Sequence, residues 1–156
     1  MRYVTVVVLA LMLTVAVGPA SSKPGNGGSG NAAISADGRF VAIASAASNL
    51  IRGDTNGVYD VFVRDRLRGV TTRASVGPRG VQANARTGLA GISRNGRFVA
   101  IWSDASNLVG GDTNGVADVF VRDRVAGTTA RMSIGLAGQQ LDTESGQAVT
   151  MRRTFG

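Results

Sequence analysis

The residues of this sequence best suited to chemistry lie in a short polar loop that leads into an apolar stretch. Asp54, Asn56 and Asp60 present side-chain oxygens at relative positions 1, 3 and 7, and the carbonyl of Val58 falls at position 5. Oxygens at alternate positions can wrap a hard cation such as calcium, and Gly57 allows the sharp bend between them. The loop is therefore a candidate calcium site.

A second interpretation of the same loop needs no ion. Asp and Asn side chains hydrogen-bond their own backbone two residues on, in Asx-turns. The loop also lacks the bidentate Glu that closes a strong calcium loop, because Asp65 stands at that place, at the end of an apolar stretch. A site with so few carboxylates would bind calcium at roughly 10⁻⁴–10⁻³ M. Both interpretations stay open on the sequence alone.

The loop belongs to an internal repeat of 58 residues. Residues 34–77 align without gaps to residues 92–135, and 31 of the 44 positions are identical. Repetition in register predicts stacked structural units, whereas a catalytic site normally breaks the symmetry of a repeat. The candidate ligands of the second loop are Asp112, Asn114, the carbonyl of Val116, and Asp118.

Composition excludes most catalytic chemistries. The 156 residues include no His and no Cys, which rules out a Ser-His-Asp triad, a Cys nucleophile, zinc sites built on thiolate or imidazole, and disulfides. Asp65 and Asp123 each stand between two arginines, and we interpret them as ion pairs that close a turn. The sequence therefore predicts a protein that is not an enzyme.

The way in which basic charge is distributed along the chain does not predict a nucleic-acid surface. The net charge is +7 and the pI is about 11.4, but the arginines recur singly along the repeat instead of clustering. Nucleic-acid binding is therefore not expected. A basic module that binds other polyanions is kept as an alternative function.

The repeat predicts four strands in each unit. Asp37-Gly38 and Asn95-Gly96 are favoured pairs for tight hairpins whose two central residues have positive φ. Four antiparallel strands in meander order form one blade of a β-propeller. The predicted strands are Ala32–Ser35, Phe40–Ser45, Asp60–Asp65 and Thr71–Val76 in the first unit, and their equivalents in the second, which begin at Ala90–Ser93 and end at Thr129–Ile134.

Specific motifs in both units resemble the WD-like propeller repeats of TolB-type proteins. These are Ile-Ser-Ala-Asp-Gly-Arg-Phe-Val-Ala-Ile-Ala-Ser, Asp-Val-Phe-Val-Arg-Asp-Arg and Thr-Thr-Arg-Ala-Ser-Val. Ala36 and Arg94 stand where the family usually has Pro, and the polar loop at 46–57 is an insertion. The resemblance implies a six- or seven-bladed propeller used for binding, often in the periplasm or outside the cell. It leaves open whether the ligand is a protein or a carbohydrate.

The polar loop carries a resemblance of its own. Its spacing is similar to the Asp-x-Asp-Gly-x-x-Asp calcium loop of integrin-type propeller repeats, with Asn56 in the place of the middle Asp. This resemblance also implies calcium as the ion.

The ends of the chain differ from the repeat. Residues 1–20 have the short basic head, apolar run and small residues of a secretory signal, and the apolar run is shorter than the roughly 20 residues that span a bilayer. No membrane span is expected after cleavage, although an uncleaved anchor is the alternative. Residues 21–31 read as a flexible leader, 32–89 as repeat 1, 90–147 as repeat 2, and 148–156 as a third repeat that is cut short.

Together these features predict an all-β chain with two four-stranded antiparallel blades of an incomplete propeller after a signal peptide. The predicted function is a secreted or periplasmic, non-catalytic binding or scaffold module, with calcium at the polar loops. The alternatives are the polyanion-binding module and part of a propeller hydrolase. Because two blades leave apolar faces and strand edges uncovered, self-association that completes a propeller is also expected.

Overall fold

A computed structural model describes residues 24–142, and these residues form two four-stranded antiparallel sheets. Both sheets are simple meanders, in the orders β1-β2-β3-β4 and β5-β6-β7-β8, so the predicted all-β architecture of two sheets is confirmed. Within 24–142 no helix is long and apolar enough to cross a bilayer. Blade 1 consists of β1 (Ser29–Ile34), β2 (Phe40–Ser45), β3 (Asp60–Asp65) and β4 (Val70–Arg73), and blade 2 of β5 (Thr87–Ile92), β6 (Phe98–Ser103), β7 (Asp118–Asp123) and β8 (Thr128–Arg131).

The first and last strands of each blade are bounded differently from the prediction. Strands β1 and β5 begin at Ser29 and Thr87, three residues before the predicted starts. β4 ends at Arg73, not at Val76. The ladder stops there because the amides of Ala74 and Ser75 both donate to the carbonyl of Val61, at 2.7 and 3.4 Å, which leaves two residues opposite one. Strand β8 ends at the equivalent Arg131 for the same reason.

The segment predicted to be a flexible leader is tied to blade 1 over its described part. The amide of Asn26 donates to Asn49 Oδ1 at 3.0 Å, and Asn26 Nδ2 donates to Ser48 Oγ at 2.9 Å. Strand β1 then begins at Ser29, inside the segment assigned to the leader. The predicted boundary between leader and repeat at residue 32 is therefore corrected. The Gly/Ser composition suggested flexibility, but the hydrogen bonds of one asparagine hold this segment against blade 1. Residues 1–23, with the predicted signal, and 143–156, with the predicted third repeat, lie outside the described part.

The β1–β2 turn uses only one residue with positive φ. Gly38 has φ 69°, whereas Asp37 is not among the residues with positive φ. Asp37 Oδ1 instead accepts hydrogen bonds from Ser35 Oγ at 2.5 Å and from the Arg39 amide at 3.0 Å. The predicted two-residue hairpin is therefore corrected to a longer turn that the aspartate side chain stabilises.

The two blades pack face to face through one apolar cluster. Blade 1 presents small residues from β2 and larger ones from β3, and blade 2 covers them with residues of β5 and β6. Alanines on β2 let the sheets approach closely, and burial of the whole set supplies the main stabilisation between blades. The buried members are Ala42, Ala44, Val61, Val63, Ala74, Leu89, Val99 and Ile101.

Candidate functional site

The polar loops fold back on their own blades and bring most of the predicted calcium ligands together. Asp60, at the first position of β3, is fully buried, and Asn56 Nδ2 donates to its Oδ2 at 2.9 Å. Asp54 lies near the same end of β3, because both aspartates contact the side chain of Arg73. Val58, whose carbonyl was the fourth candidate, is half-buried. Gly57 has φ 69°, as the predicted bend requires.

A buried arginine lies among these candidate ligands. Arg73, the last residue of β4, has a side chain that is only 4% exposed. Its Nη2 lies 2.8 Å from Asp54 Oδ1, and its Nε lies 3.5 Å from Asp60 Oδ2. The guanidinium therefore supplies the positive charge that two neighbouring carboxylates need in a buried place.

The remaining oxygen of Asp60 is also engaged. Ser75 Oγ donates to Asp60 Oδ1 at 2.5 Å and accepts a hydrogen bond from the Val61 amide at 3.0 Å. Asn56 Nδ2 makes a second bond, to the carbonyl of Ala83 at 3.0 Å, which ties the loop to the link between the blades. Burial raises the pKa of Asp60, although the bonds from Ser75 and Asn56 and the charge of Arg73 each act to lower it.

The second loop repeats the arrangement. Arg131 Nη2 lies 3.1 Å from Asp112 Oδ1, and Arg131 Nη1 lies 3.5 Å from Asp118 Oδ2. Asn114 Nδ2 donates to Asp118 Oδ2 at 3.0 Å, and Ser133 Oγ donates to the other oxygen of Asp118. Burial raises the pKa of Asp112, with the charge of Arg131 acting against it. Val116 is half-buried, as Val58 is.

These groups, as arranged, do not fit a calcium ion. A calcium ion is coordinated by about six to eight oxygen atoms. Asp60 and Asp118 already accept bonds on both of their oxygens, and an arginine contacts the other carboxylate of each loop. Among the described residues, no group of three or more Asp or Glu is placed to hold a metal. Asn56 Oδ1 and Asn114 Oδ1 are buried without a hydrogen-bond partner, so each loop offers one amide oxygen. Calcium binding stays a prediction that requires the arginine to move away.

The sequence analysis missed the arginine, although a signal for it was present. Arg73 and Arg131 are equivalent and identical, while their neighbours on both sides change between the copies, Thr72 to Ala130 and Ala74 to Met132. An invariant charged residue inside a variable strand indicates a specific partner. That partner lies about twenty residues earlier in the chain, which spacing within the loop could not reveal.

Asp65 and Asp123, the last residues of β3 and β7, form ion pairs as predicted. Their partners, however, are not the arginines beside them in the sequence but arginines just before β2 and β6. Arg39 donates to Asp65 through Nε at 3.1 Å and Nη2 at 2.8 Å, and Arg97 binds Asp123 through Nη2 at 2.6 Å. The Arg39 bond lowers the pKa of Asp65 to about 2, and the Arg97 bond lowers the pKa of Asp123 further. Carboxylates held ionised in this way are poor proton acceptors near neutral pH.

A basic cleft of about 210 Å³ lies between the blades at this same end. The guanidinium carbons of Arg39 and Arg124 both lie 4.7 Å from the centroid of the Phe40 ring. Arg124 Nη1 donates to the carbonyl of Gly96 at 2.6 Å, and burial lowers the pKa of Arg124. The cleft is lined by four arginines, Arg39, Arg68, Arg97 and Arg124, and by one carboxylate, Asp65.

One aromatic cluster breaks the repeat symmetry. The Arg86 guanidinium lies 5.6 Å from the ring centroid of Tyr59 and 5.1 Å from that of Trp102. The other repeat has Gly28 in place of Arg86, Ala117 in place of Tyr59 and Ala44 in place of Trp102. The cluster joins the start of β3 to the edge of blade 2, and the sequence analysis did not connect its members, which are distant in the chain.

Comparison with known proteins returns structures but no family. No family model matches the chain, and no curated protein gives a significant match. Among solved structures, the chain is similar to TolB from Acinetobacter baumannii, with 17% identity over 76% of this chain and 23% of that one, and a TM-score of 0.45. It is also similar to a structure assigned as TolB from Agrobacterium tumefaciens, with 18% identity over 76% of this chain and 33% of that one, and a TM-score of 0.43. The chain thus spans a third or less of the TolB structures that it matches, proteins of the type that its repeat motifs resemble.

Proposed function

We propose that this chain is part of an exported β-propeller and acts as a non-catalytic binding or scaffold module. The observation that carries the proposal is that the three aspartates common to both repeats are each paired with an arginine. A carboxylate in such a pair compensates the charge of its arginine and is not free to accept a proton from a substrate. The six aspartates are Asp54, Asp60, Asp65, Asp112, Asp118 and Asp123.

Export to the periplasm or beyond the cell is supported by the N-terminal sequence. Residues 1–20 have the pattern of a secretory signal. The absence of cysteine is compatible with an oxidising compartment, because the fold contains no thiol that such a compartment would oxidise.

The basic cleft favours an anionic ligand, which is the second candidate function. Four arginines line it. Arg39 and Arg97 bind Asp65 and Asp123, and Arg68 Nε lies 4.0 Å from Asp65 Oδ2. Among the described residues, Arg124 is therefore the guanidinium of the cleft without a carboxylate within salt-bridge distance. Arginine forks bind carboxylate, sulfate and phosphate groups in two-bond geometry. We therefore expect a sulfated or phosphorylated polymer to bind at the cleft more strongly than a neutral one.

Heparin binding tests this assignment. We expect Arg124→Gln to weaken binding of heparin at about 50 mM salt roughly tenfold, the effect of losing about 1.5 kcal/mol of charge-assisted hydrogen bonding. Arg52→Gln removes the same charge from an exposed position outside the cleft and serves as the control. Equal weakening by the two variants, measured by titration calorimetry, would mean that net charge and not the cleft binds the polymer.

Calcium at the polar loops has a separate test. With a dissociation constant of roughly 10⁻⁴–10⁻³ M, about 10 mM calcium would raise the free energy of unfolding by about 1.4–2.7 kcal/mol per site. Since Arg73 and Arg131 contact the carboxylates, we expect no such increase in the natural chain over a chelator control. A rise of this size with calcium, and a smaller one with magnesium, would show that the loops release their arginines and bind the ion.

A further inference from the structure

Each blade has two unlike faces, and the junction between the blades shows how they fit. The face of blade 1 that turns toward blade 2 is called here the trailing face, and the face of blade 2 that covers it the leading face. In blade 1 six residues of the trailing face are at most 9% exposed. They are Ala42, Ala44, Val61, Val63, Ala74 and Val76.

The trailing face of blade 2 is formed by the equivalent residues, and all of them are uncovered to some degree. Met132 is 48% exposed where Ala74 is 2%, and Ile134 is 52% exposed where Val76 is 9%. The other four are half-buried, and all six are apolar, so blade 2 presents a continuous apolar surface. The set is Ala100, Trp102, Val119, Val121, Met132 and Ile134.

The leading face of blade 1 is uncovered in the same way. Ile34 is 57% exposed, whereas its equivalent Ile92 packs against the cluster between the blades. Val41 and Ile43 are half-buried, whereas their equivalents in blade 2 are fully buried. The molecule therefore has an uncovered leading face on blade 1 and an uncovered trailing face on blade 2. The same two kinds of face pack together at the junction between the blades.

Trp102 is the one large change in the uncovered trailing face. It replaces Ala44, and its ring lies over Gly88, where a Cβ atom would come within 2.1 Å of the ring. The ring thus lies along its own sheet and does not fill the space in front of it. Blade 2 has Leu89 opposite Ile101. Blade 1 has Ala32 opposite the equivalent Ile43, so a smaller residue stands on the face that would meet the larger one.

From this pairing we infer that the trailing face of blade 2 packs against the leading face of blade 1 in a second copy of the chain. The contact repeats the central junction and is head to tail, and such contacts close into a ring when the rotation from copy to copy adds up to a full turn. Propellers contain about four to eight blades, and three copies give six. The same template includes a hydrogen bond, since Thr129 Oγ1 donates to the Val76 carbonyl at 2.7 Å across the junction. Thr71 and Ile134 stand at the equivalent positions on the two uncovered faces.

Two charge variants test the assembly without disturbing either blade. Ile34→Asp spoils only the leading face and Met132→Asp only the trailing face, and both positions are exposed in the single chain. We expect the natural chain to form closed oligomers with at least a tenfold lower dissociation constant than either variant, each of which stays monomeric at micromolar concentration. Mixed together, the variants should form a one-to-one dimer and nothing larger, because each supplies the face that the other lacks.

Leu67→Asp is the matched control, since Leu67 is 78% exposed in a turn away from both faces. This variant should assemble as the natural chain does when masses are measured by light scattering. A monomeric natural chain would overturn the inference. So would oligomers that survive either face variant, or a mixture of the two variants that stays monomeric.

Discussion

Replacing Arg73 by leucine should lower the free energy of unfolding by about 3–5 kcal/mol, the cost of leaving a buried carboxylate without its partner. Arg73 is the cation within 4 Å of both Asp54 and Asp60 in the described structure, and Asp60 is fully buried. Leucine cannot compensate either charge. Chemical denaturation at neutral pH measures the loss.

The pH dependence of the variant separates this cause from simple loss of packing. Burial already raises the pKa of Asp60, and removal of Arg73 takes away a charge that lowers it. A carboxyl whose pKa is raised in the folded state binds more protons there than in the unfolded state. The free energy of unfolding therefore falls as the pH rises above the usual pKa of an aspartate. We expect the deficit of Arg73→Leu to shrink as the pH is lowered from neutral toward the raised pKa.

Two controls bound the interpretation. Arg52→Leu changes an exposed arginine and should alter stability by no more than about 0.5 kcal/mol. Arg131→Leu tests the equivalent contact in the second repeat and should reproduce the loss. A deficit below about 1 kcal/mol at Arg73 that does not vary with pH would mean that the loop is held by its own backbone turns.

The strand order was predictable because each strand carries its own signal. Phe40–Ser45 and Asp60–Asp65 have the observed bounds, since apolar runs flanked by turn residues specify them locally. Val76 lies outside β4 because two amides share the Val61 carbonyl, and no pattern in the sequence encodes that bulge. Asn26 pins the segment before β1 through a partner more than twenty residues away.

The candidate site was predictable in its members but not in its charge balance. Asp54, Asn56 and Asp60 come together because a short loop joins them. Arg73 reaches them from β4, and this contact exists only once β3 and β4 pair in register, with Phe62 opposite Arg73. Spacing within a loop identifies oxygens, whereas tertiary structure decides which cation they meet.

The junction between the blades should also be sensitive to one added methyl group, at Gly77. This residue has φ −85°, so alanine is conformationally allowed there, but its Cβ would lie 2.1 Å from the carbonyl oxygen of Asn107. Backbone atoms of blade 2 cannot yield as a flexible side chain does. We expect Gly77→Ala to lower the free energy of unfolding by about 1–3 kcal/mol, as overpacking does elsewhere.

Gly135→Ala is the matched control for the same substitution, because Gly135 is the equivalent residue on the uncovered face. Its φ is −78°, and its nearest neighbour to a new Cβ is the Leu141 side chain at 3.4 Å. The single chain should therefore lose less than about 0.5 kcal/mol. If a second copy docks there, Asn49 of that copy takes the place of Asn107, and Gly135→Ala should weaken association while Gly77→Ala weakens folding. Equal losses of stability from both substitutions in dilute protein would contradict this division.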